Sequence, residues 1–231
     1  MRIFTNIFRK RTAKKARSTF QNLKLIDTTT GNYEDFYEKL SNKSLILLIT
    51  GKRGSGKTAL GMKLLEIANY TGKPCYAIGF QDSKLPRWII KSKSLEEVTN
   101  NSVVLVDEGG IVFSSRESMG SSNKWLSKLM AIARHKNISL FLITQNSGMI
   151  DLNVLRLTDT IILKEPSLLQ STFERKAIKE KYEEVSKIFK KQDEKSSKFY
   201  IWDDDFEGLV KFDLPPFWNQ SISKSFSKLK K

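Results

Sequence analysis

Cysteine and histidine each occur once in these 231 residues, as Cys75 and His135. A lone cysteine excludes an internal disulfide and points to a reducing compartment. A lone histidine with no cysteine partners cannot anchor a zinc site, so His135 reads as structural rather than catalytic. Long apolar runs are also missing. The longest, at 45–49, 103–106 and 140–143, fall far short of the ~18 residues of a membrane span. No apolar h-region follows the basic N-terminus, so a secretory signal is not expected and the chain reads as cytoplasmic. No internal repeat is present.

Acid is scarce at both ends. Residues 1–30 hold eight Lys/Arg against Asp27 alone, and residues 219–231 hold Lys224, Lys228, Lys230 and Lys231 with no acid. The net charge of +15 therefore lies mainly on the termini, with a near-neutral body between them. Basic ends suit a polyanionic partner, either nucleic acid or an anionic membrane face; solvated tails are the plain alternative. Residues 1–20 also carry Ile3, Phe4, Ile7 and Phe8 among the arginines, a pattern shared by surface helices and transit peptides.

Strand-like and helix-like segments alternate along the body. Leu45–Thr50 reads as a buried strand, and Ala59–Tyr70 as a helix with Leu60, Leu64, Leu65, Ile67 and Ala68 on its apolar stripe. Cys75–Ile78 makes a second strand, 79–93 an irregular stretch with an exposed-looking Trp88-Ile89-Ile90, and 95–99 a short helix. Ser102–Val106 is another buried strand, and 109–123 a Gly/Ser-rich mobile loop. Asn123 caps a helix to His135, Ile138–Thr144 and Thr160–Leu163 are strands, and 151–157 is a short helical segment. This order predicts an α/β fold with a mostly parallel sheet sandwiched between helices. Beyond it come a long charged helix ending near Lys191 and a hairpin of 198–202 with 208–212 around Asp203-Asp204-Asp205. Leu214–Trp218 is expected as an extended segment that docks its aromatics on the body or on a neighbour. The expected organisation is a basic N-terminal arm (1–30), a core (31–165) and a C-terminal extension of helix, hairpin and basic tail (166–231).

The motif that carries chemistry is Gly51-Lys52-Arg53-Gly54-Ser55-Gly56-Lys57-Thr58, a full match to G-x-x-x-x-G-K-[ST] between a strand and a helix. In that setting backbone N–H groups of Gly51–Ala59 cradle phosphates, Lys57 reaches the terminal ones, and Thr58 holds Mg²⁺. Downstream, Val103–Val106 ends in Asp107-Glu108. An acid at the edge of a buried strand beside a P-loop completes the Mg²⁺ shell, and Glu108 is placed to activate water as general base. The pair points to ATP hydrolysis rather than to a simple nucleotide switch.

With the stretch Ala131-Ile132-Ala133-Arg134-His135 leading to a strand that ends in Thr144-Gln145, residues 43–165 resemble the FtsK/HerA superfamily of DNA-pumping ATPases. The small viral genome-packaging ATPases and the Zot-like proteins of filamentous phages are the most similar. The resemblance implies a P-loop NTPase fold of the ASCE, RecA-like kind, with the Gln145 strand lying between the P-loop strand and the Asp107 strand. It implies Gln145 as a polar sensor of the γ-phosphate or attacking water, and Arg134 or Arg156 as an arginine finger supplied in trans, with Arg116 a weaker candidate. The implied cofactors are ATP and Mg²⁺. The implied partners are double-stranded DNA, further copies of the chain in a homo-oligomeric ring, and a capsid or membrane-vertex protein. Residues 114–123 are a candidate DNA-contacting loop. The membrane segment usual in Zot-like proteins is not seen, which favours a packaging motor. An ATPase for phage extrusion, pilus assembly or conjugative transfer is the alternative. A P-loop small-molecule kinase, for which no Arg-rich lid is seen, and a non-hydrolysing scaffold are the readings from other classes.

Overall fold

The computed structural model describes residues 23–107, 122–144, 152–166 and 176–222. Among them nine strands form one sheet: β1 (Leu23–Gly31), β2 (Ile46–Thr50), β3 (Cys75–Ile78), β4 (Ile89–Ser92), β5 (Val103–Val106), β6 (Ser139–Ile143), β7 (Thr160–Leu163), β8 (Lys198–Asp203) and β9 (Phe206–Phe212). The helices are α1 (Tyr33–Asn42), α2 (Lys57–Tyr70), α3 (Ser122–His135), α4 (Leu152–Arg156) and α5 (Lys176–Lys190), with a 3₁₀ turn at Lys195–Ser197. Across the sheet the order is β1-β9-β8-β7-β2-β6-β5-β3-β4. Strands β7 to β4 in that order run parallel, while β8, β9 and β1 are antiparallel additions beyond β7. The expected interposition holds, because β6 lies between β2 and β5.

Both faces are covered, which is why β2, β3, β5 and β6 are unbroken buried runs. Alternate residues divide between two cores. Leu47, Ile49, Leu105 and Phe141 face α2 and α1, and Leu48, Val104, Val106 and Leu140 face α3 and α4. A third cluster puts Tyr182, Val185 and Phe189 of α5 against Leu163, Tyr200 and Leu209. Cys75 is enclosed at the first core, and burial pushes its thiol up to about 12 against a smaller pull from Lys73.

Several expectations need correction. Residues 89–92 are not irregular: Ile89 is buried and Ile90 is half exposed on a parallel edge strand paired with β3. Residues 95–99 form turns, not a helix, with the Val98 N–H donating to the Leu95 carbonyl at 3.2 Å. Helix α3 begins at Ser122, so Asn123 lies inside its first turn rather than capping it. The hairpin turn is shorter than expected, because Asp203 belongs to β8 and is buried. The stretch 23–30, expected as part of the arm, is β1, held by backbone pairing to β9 although all its side chains after Leu23 are exposed. Helix α1 was not anticipated; Asn32 caps it through Glu34 N–H, and Phe36 and Leu40 bury one turn apart. The candidate loop 114–121 with Arg116, and the basic ends 1–22 and 223–231, lie outside the described residues.

Two buried charges hold the antiparallel extension to the parallel core. The Asp203 carboxylate accepts from Lys39 Nζ at 2.9 Å, from the Asp205 N–H at 3.0 Å and from the Thr160 hydroxyl, joining α1, β7 and β8. Lys164, fully enclosed just past β7, donates from Nζ to the carbonyls of Ser196 (2.7 Å) and Lys198 (2.6 Å) and lies 4.7 Å from the centre of the Phe212 ring. Burial, and next the positive charge of Lys57 beside it, hold its ammonium well below the ordinary lysine range, against an opposing pull from Glu165.

Asp203→Ala leaves Lys39 only the Asp205 carboxylate at 3.3 Å and strands two further donors, and should cost about 3 kcal/mol in denaturant unfolding. Lys164 gives a pH signature. Its native pKa is depressed, so around that pKa the unfolded chain binds the proton more firmly, and stability contributed by Lys164 rises with pH until the ordinary value of 10.5 is passed. Wild type should gain stability relative to Lys164→Met between neutral pH and pH 10.5 in parallel urea titrations. A constant difference would show that the amine is not desolvated.

Candidate nucleotide site

Strand β2 ends at Thr50 and α2 begins at Lys57, so the six residues between must turn back at the carboxyl edge of the central strand. Two glycines are demanded by space as well as by conformation. Gly51 has φ 144°, and a Cβ there would lie 2.7 Å from the Lys164 Cβ; Gly56 has φ 89°, and a Cβ there would lie 2.8 Å from the Ser196 carbonyl oxygen. The loop is pinned on both flanks. The Lys52 N–H donates to the Glu165 carbonyl at 3.0 Å, and the Lys52 and Lys195 amines approach the Glu165 carboxylate at 2.7 and 3.6 Å. Ser55 N–H donates to the Lys52 carbonyl at 3.2 Å, while the buried Ser55 hydroxyl has no partner among the described residues. The Lys57 amine curls over the loop and donates to the carbonyls of Gly51 (2.8 Å) and Lys52 (3.0 Å).

A cavity of about 810 Å³ opens on this loop, within the usual size range of ligand sites. Arg53, Gly56, Lys57, Thr58, Ala59 and Asp107 line it. The first turn of α2 brings backbone N–H groups and the positive end of the helix dipole to it, so the cavity favours an anion with several oxygens. Asp107 emerges from the end of β5, its N–H fixed on the Ile78 carbonyl at 3.1 Å, and so shares the cavity with Thr58. One hydroxyl and one carboxylate at the same cavity are hard oxygen donors of the kind Mg²⁺ takes alongside phosphate oxygens and water. Among the described residues no cluster of three or more His, Cys, Asp or Glu suggests another metal.

Other expected site residues fall elsewhere. Glu108 and Gln145 lie just outside the described residues. Their neighbours Asp107 and Thr144 end β5 and β6, and Thr144 N–H donates to the Ile49 carbonyl at 3.0 Å. Arg134 and Arg156 are at the opposite edge of the sheet. Arg134 closes α3 before β6 starts and donates from Nη2 to the Leu157 carbonyl at 3.0 Å, with the Asp159 carboxylate 4.0 Å away. Arg156, exposed, closes α4 before β7 starts, and Asp159 accepts from the N–H of Ile46 at the beginning of β2. A strand of five residues separates the edges by about 17 Å, so neither arginine serves its own chain's P-loop. Three contributors were missed in the sequence: Lys164 behind the loop, the Ser196-Ser197 turn, and Leu214 with Trp218, all but Lys164 on the cavity wall. A lysine directly after the apolar run 160–163 is the signal for the first, and the aromatic segment 214–218 marks a docking stretch without showing which surface it joins.

No protein-family model matches the chain, and no curated protein matches it in sequence. Its structure is similar to solved ones. The genome packaging NTPase B204 of Sulfolobus turreted icosahedral virus 2, in complex with AMPPCP, aligns at TM-score 0.51 and 17% identity over 75% of this chain and 100% of that one. B204 of Sulfolobus turreted icosahedral virus, a DNA-packaging ATPase, aligns at TM-score 0.51 and 16% identity, over 74% and 99%. The conjugation coupling protein TcpA of pCW3, with ATPγS, aligns at TM-score 0.52 and 15% identity, over 82% and 66%. At these identities the likeness is one of fold. No described helix is long and apolar enough to cross a membrane. With a P-loop on its central strand and β6 interposed between β2 and β5, the chain has the α/β fold of a P-loop NTPase.

Proposed function

We propose that this chain is an ATP-hydrolysing motor that moves double-stranded DNA, most simply a viral genome-packaging ATPase working as a homo-oligomeric ring. The observation that carries the reading is the shared cavity of the P-loop, Lys57, Thr58 and Asp107 on a fold common to DNA-packaging NTPases. In this reading the N–H groups of Gly51–Ala59 and the Lys57 amine bind the β- and γ-phosphates, and leaving the Gly51 and Lys52 carbonyls is the step that frees Lys57 for them. Thr58 and Asp107 would hold Mg²⁺, which neutralises phosphate charge. Glu108, next to Asp107, takes the proton from the attacking water, and Gln145, next to Thr144, orients that water or senses the γ-phosphate.

Placement of Arg134 and Arg156 at the far edge of the sheet supports a finger given to a neighbouring subunit. Arg156 is the better candidate, because Arg134 is already engaged with Leu157 and Asp159. The basic ends serve DNA, and a capsid or membrane-vertex protein would receive the ring. Conjugative DNA transfer is the second reading, supported by the similarity to TcpA.

Lys57→Ala should abolish ATP turnover, and Glu108→Gln should retain ATP binding while blocking hydrolysis. Native turnover by Glu108→Gln would remove Glu108 from the base role.

Removing residues 1–22, which carry seven Lys/Arg and no acid, leaves β1 intact. It should flatten the salt dependence of DNA affinity by roughly 0.9 in log–log slope for each phosphate the arm neutralises, with basal ATPase kept. An unchanged slope would assign the arm to another partner.

Arg156→Ala should bind ATP yet hydrolyse it slowly, by roughly 10³-fold or more. Mixing it with Lys57→Ala protein should restore part of the activity, since some interfaces then pair an intact P-loop with an intact arginine. Absence of recovery in mixed assemblies verified by sizing would argue against a trans finger.

A further inference from the structure

The cavity on the P-loop is lined by more than the loop itself, and the further residues are of a different character. After β9 the chain continues without regular secondary structure, turns where the Trp218 N–H donates to the Pro215 carbonyl at 2.9 Å, and buries Ile222, which is 1% exposed. Two contacts anchor that segment to the loop before β4. Phe217 meets Trp88 edge to face at 5.4 Å, and the Ser83 hydroxyl donates to the Ile222 carbonyl at 3.4 Å. Leu214 and Trp218 line the same cavity as Lys57 and Thr58. Leu214 is 56% exposed, so its side chain is accessible to a ligand there.

We propose that Leu214 and Trp218 form the nucleobase subsite of the nucleotide site, with the base stacking on the indole and Leu214 closing its edge. The inference rests on the P-loop reading above and adds the part of the ligand that reading leaves unplaced. A P-loop binds phosphates only and does not select a nucleoside. A flat heteroaromatic ring joined to those phosphates by a ribose requires an apolar, aromatic surface in the same cavity, and this segment supplies it. The 3₁₀ turn at Ser196-Ser197 lines the same cavity and is held in place by Lys164.

The test compares ATP with inorganic tripolyphosphate, which has the phosphates and no base, by equilibrium binding to the full chain. Wild type should bind ATP more tightly than tripolyphosphate. Trp218→Ala should weaken ATP about tenfold and leave tripolyphosphate unchanged, as expected for loss of one base–aromatic stack. Trp218→Phe should recover most of the ATP affinity. Leu214→Ala, which truncates an exposed side chain and spares the fold, should show the same selective loss at smaller size. Equal losses for both ligands, or none for either, would overturn the subsite. Lys57→Ala should weaken both ligands; if wild type binds neither, the phosphate-site reading itself falls and takes the subsite with it.

Discussion

Lys164 places a fully enclosed amine against the back of the phosphate loop, and the surrounding structure is arranged around that constraint. A buried lysine is costly unless its protons are taken up, and among the described residues no carboxylate forms an ion pair with Nζ; two backbone carbonyls, of Ser196 and Lys198, accept instead. Those carbonyls belong to the 3₁₀ turn and the first residue of β8, so the core strand β7 and the extension are fastened at the same point. The lysine's own Cβ forces glycine at 51, and the Ser196 carbonyl forces it at 56. Shape and conformation of the P-loop are therefore set from behind by residues more than a hundred positions downstream. The extension is part of the site's foundation.

Parallel strands give the sheet two chemically distinct edges. The carboxyl edge collects Gly51–Thr58, Asp107 and Thr144, because each follows a strand that ends there. The amino edge collects Arg134, Arg156 and Asp159, because each precedes a strand that starts there. One chain thus displays a phosphate site on one edge and basic side chains on the other. That polarity suits head-to-tail assembly, in which the amino edge of one copy faces the carboxyl edge of the next, and a heterologous contact of this kind closes into a ring when its rotation permits.

Legibility in the sequence followed burial. Strands β2, β5 and β6 are enclosed on both faces, so they are written as continuous apolar runs, and the P-loop pattern located the site among them. Strand β1 is the opposite case. Its backbone is paired with β9, but Lys24 to Gly31 face solvent, so no alternation of polarity marks it and the lysine reads as part of a basic arm. Strand β4 was hidden for a related reason: four residues on an edge, after Pro86, with Ile90 and Lys91 exposed, resemble a loop. Helix α1 was legible, through Asn32, Glu34 and the Phe36/Leu40 pair, and was passed over. Lys164 could not be found by pattern, and the aromatic segment ending in Trp218 is legible while its docking place is not, since what matters in each is a tertiary neighbour far away in the chain.

In the motor reading proposed above, the segment that carries Leu214 and Trp218 ties the nucleotide to the extension. That segment is continuous with β9, which pairs with both β8 and the edge strand β1. Core and extension are already joined by β7–β8 pairing, by Asp203 and by Lys164. A ligand that bridges the P-loop and this segment would add one more tie between the same two parts, so its binding can stiffen that junction without any rearrangement of the sheet.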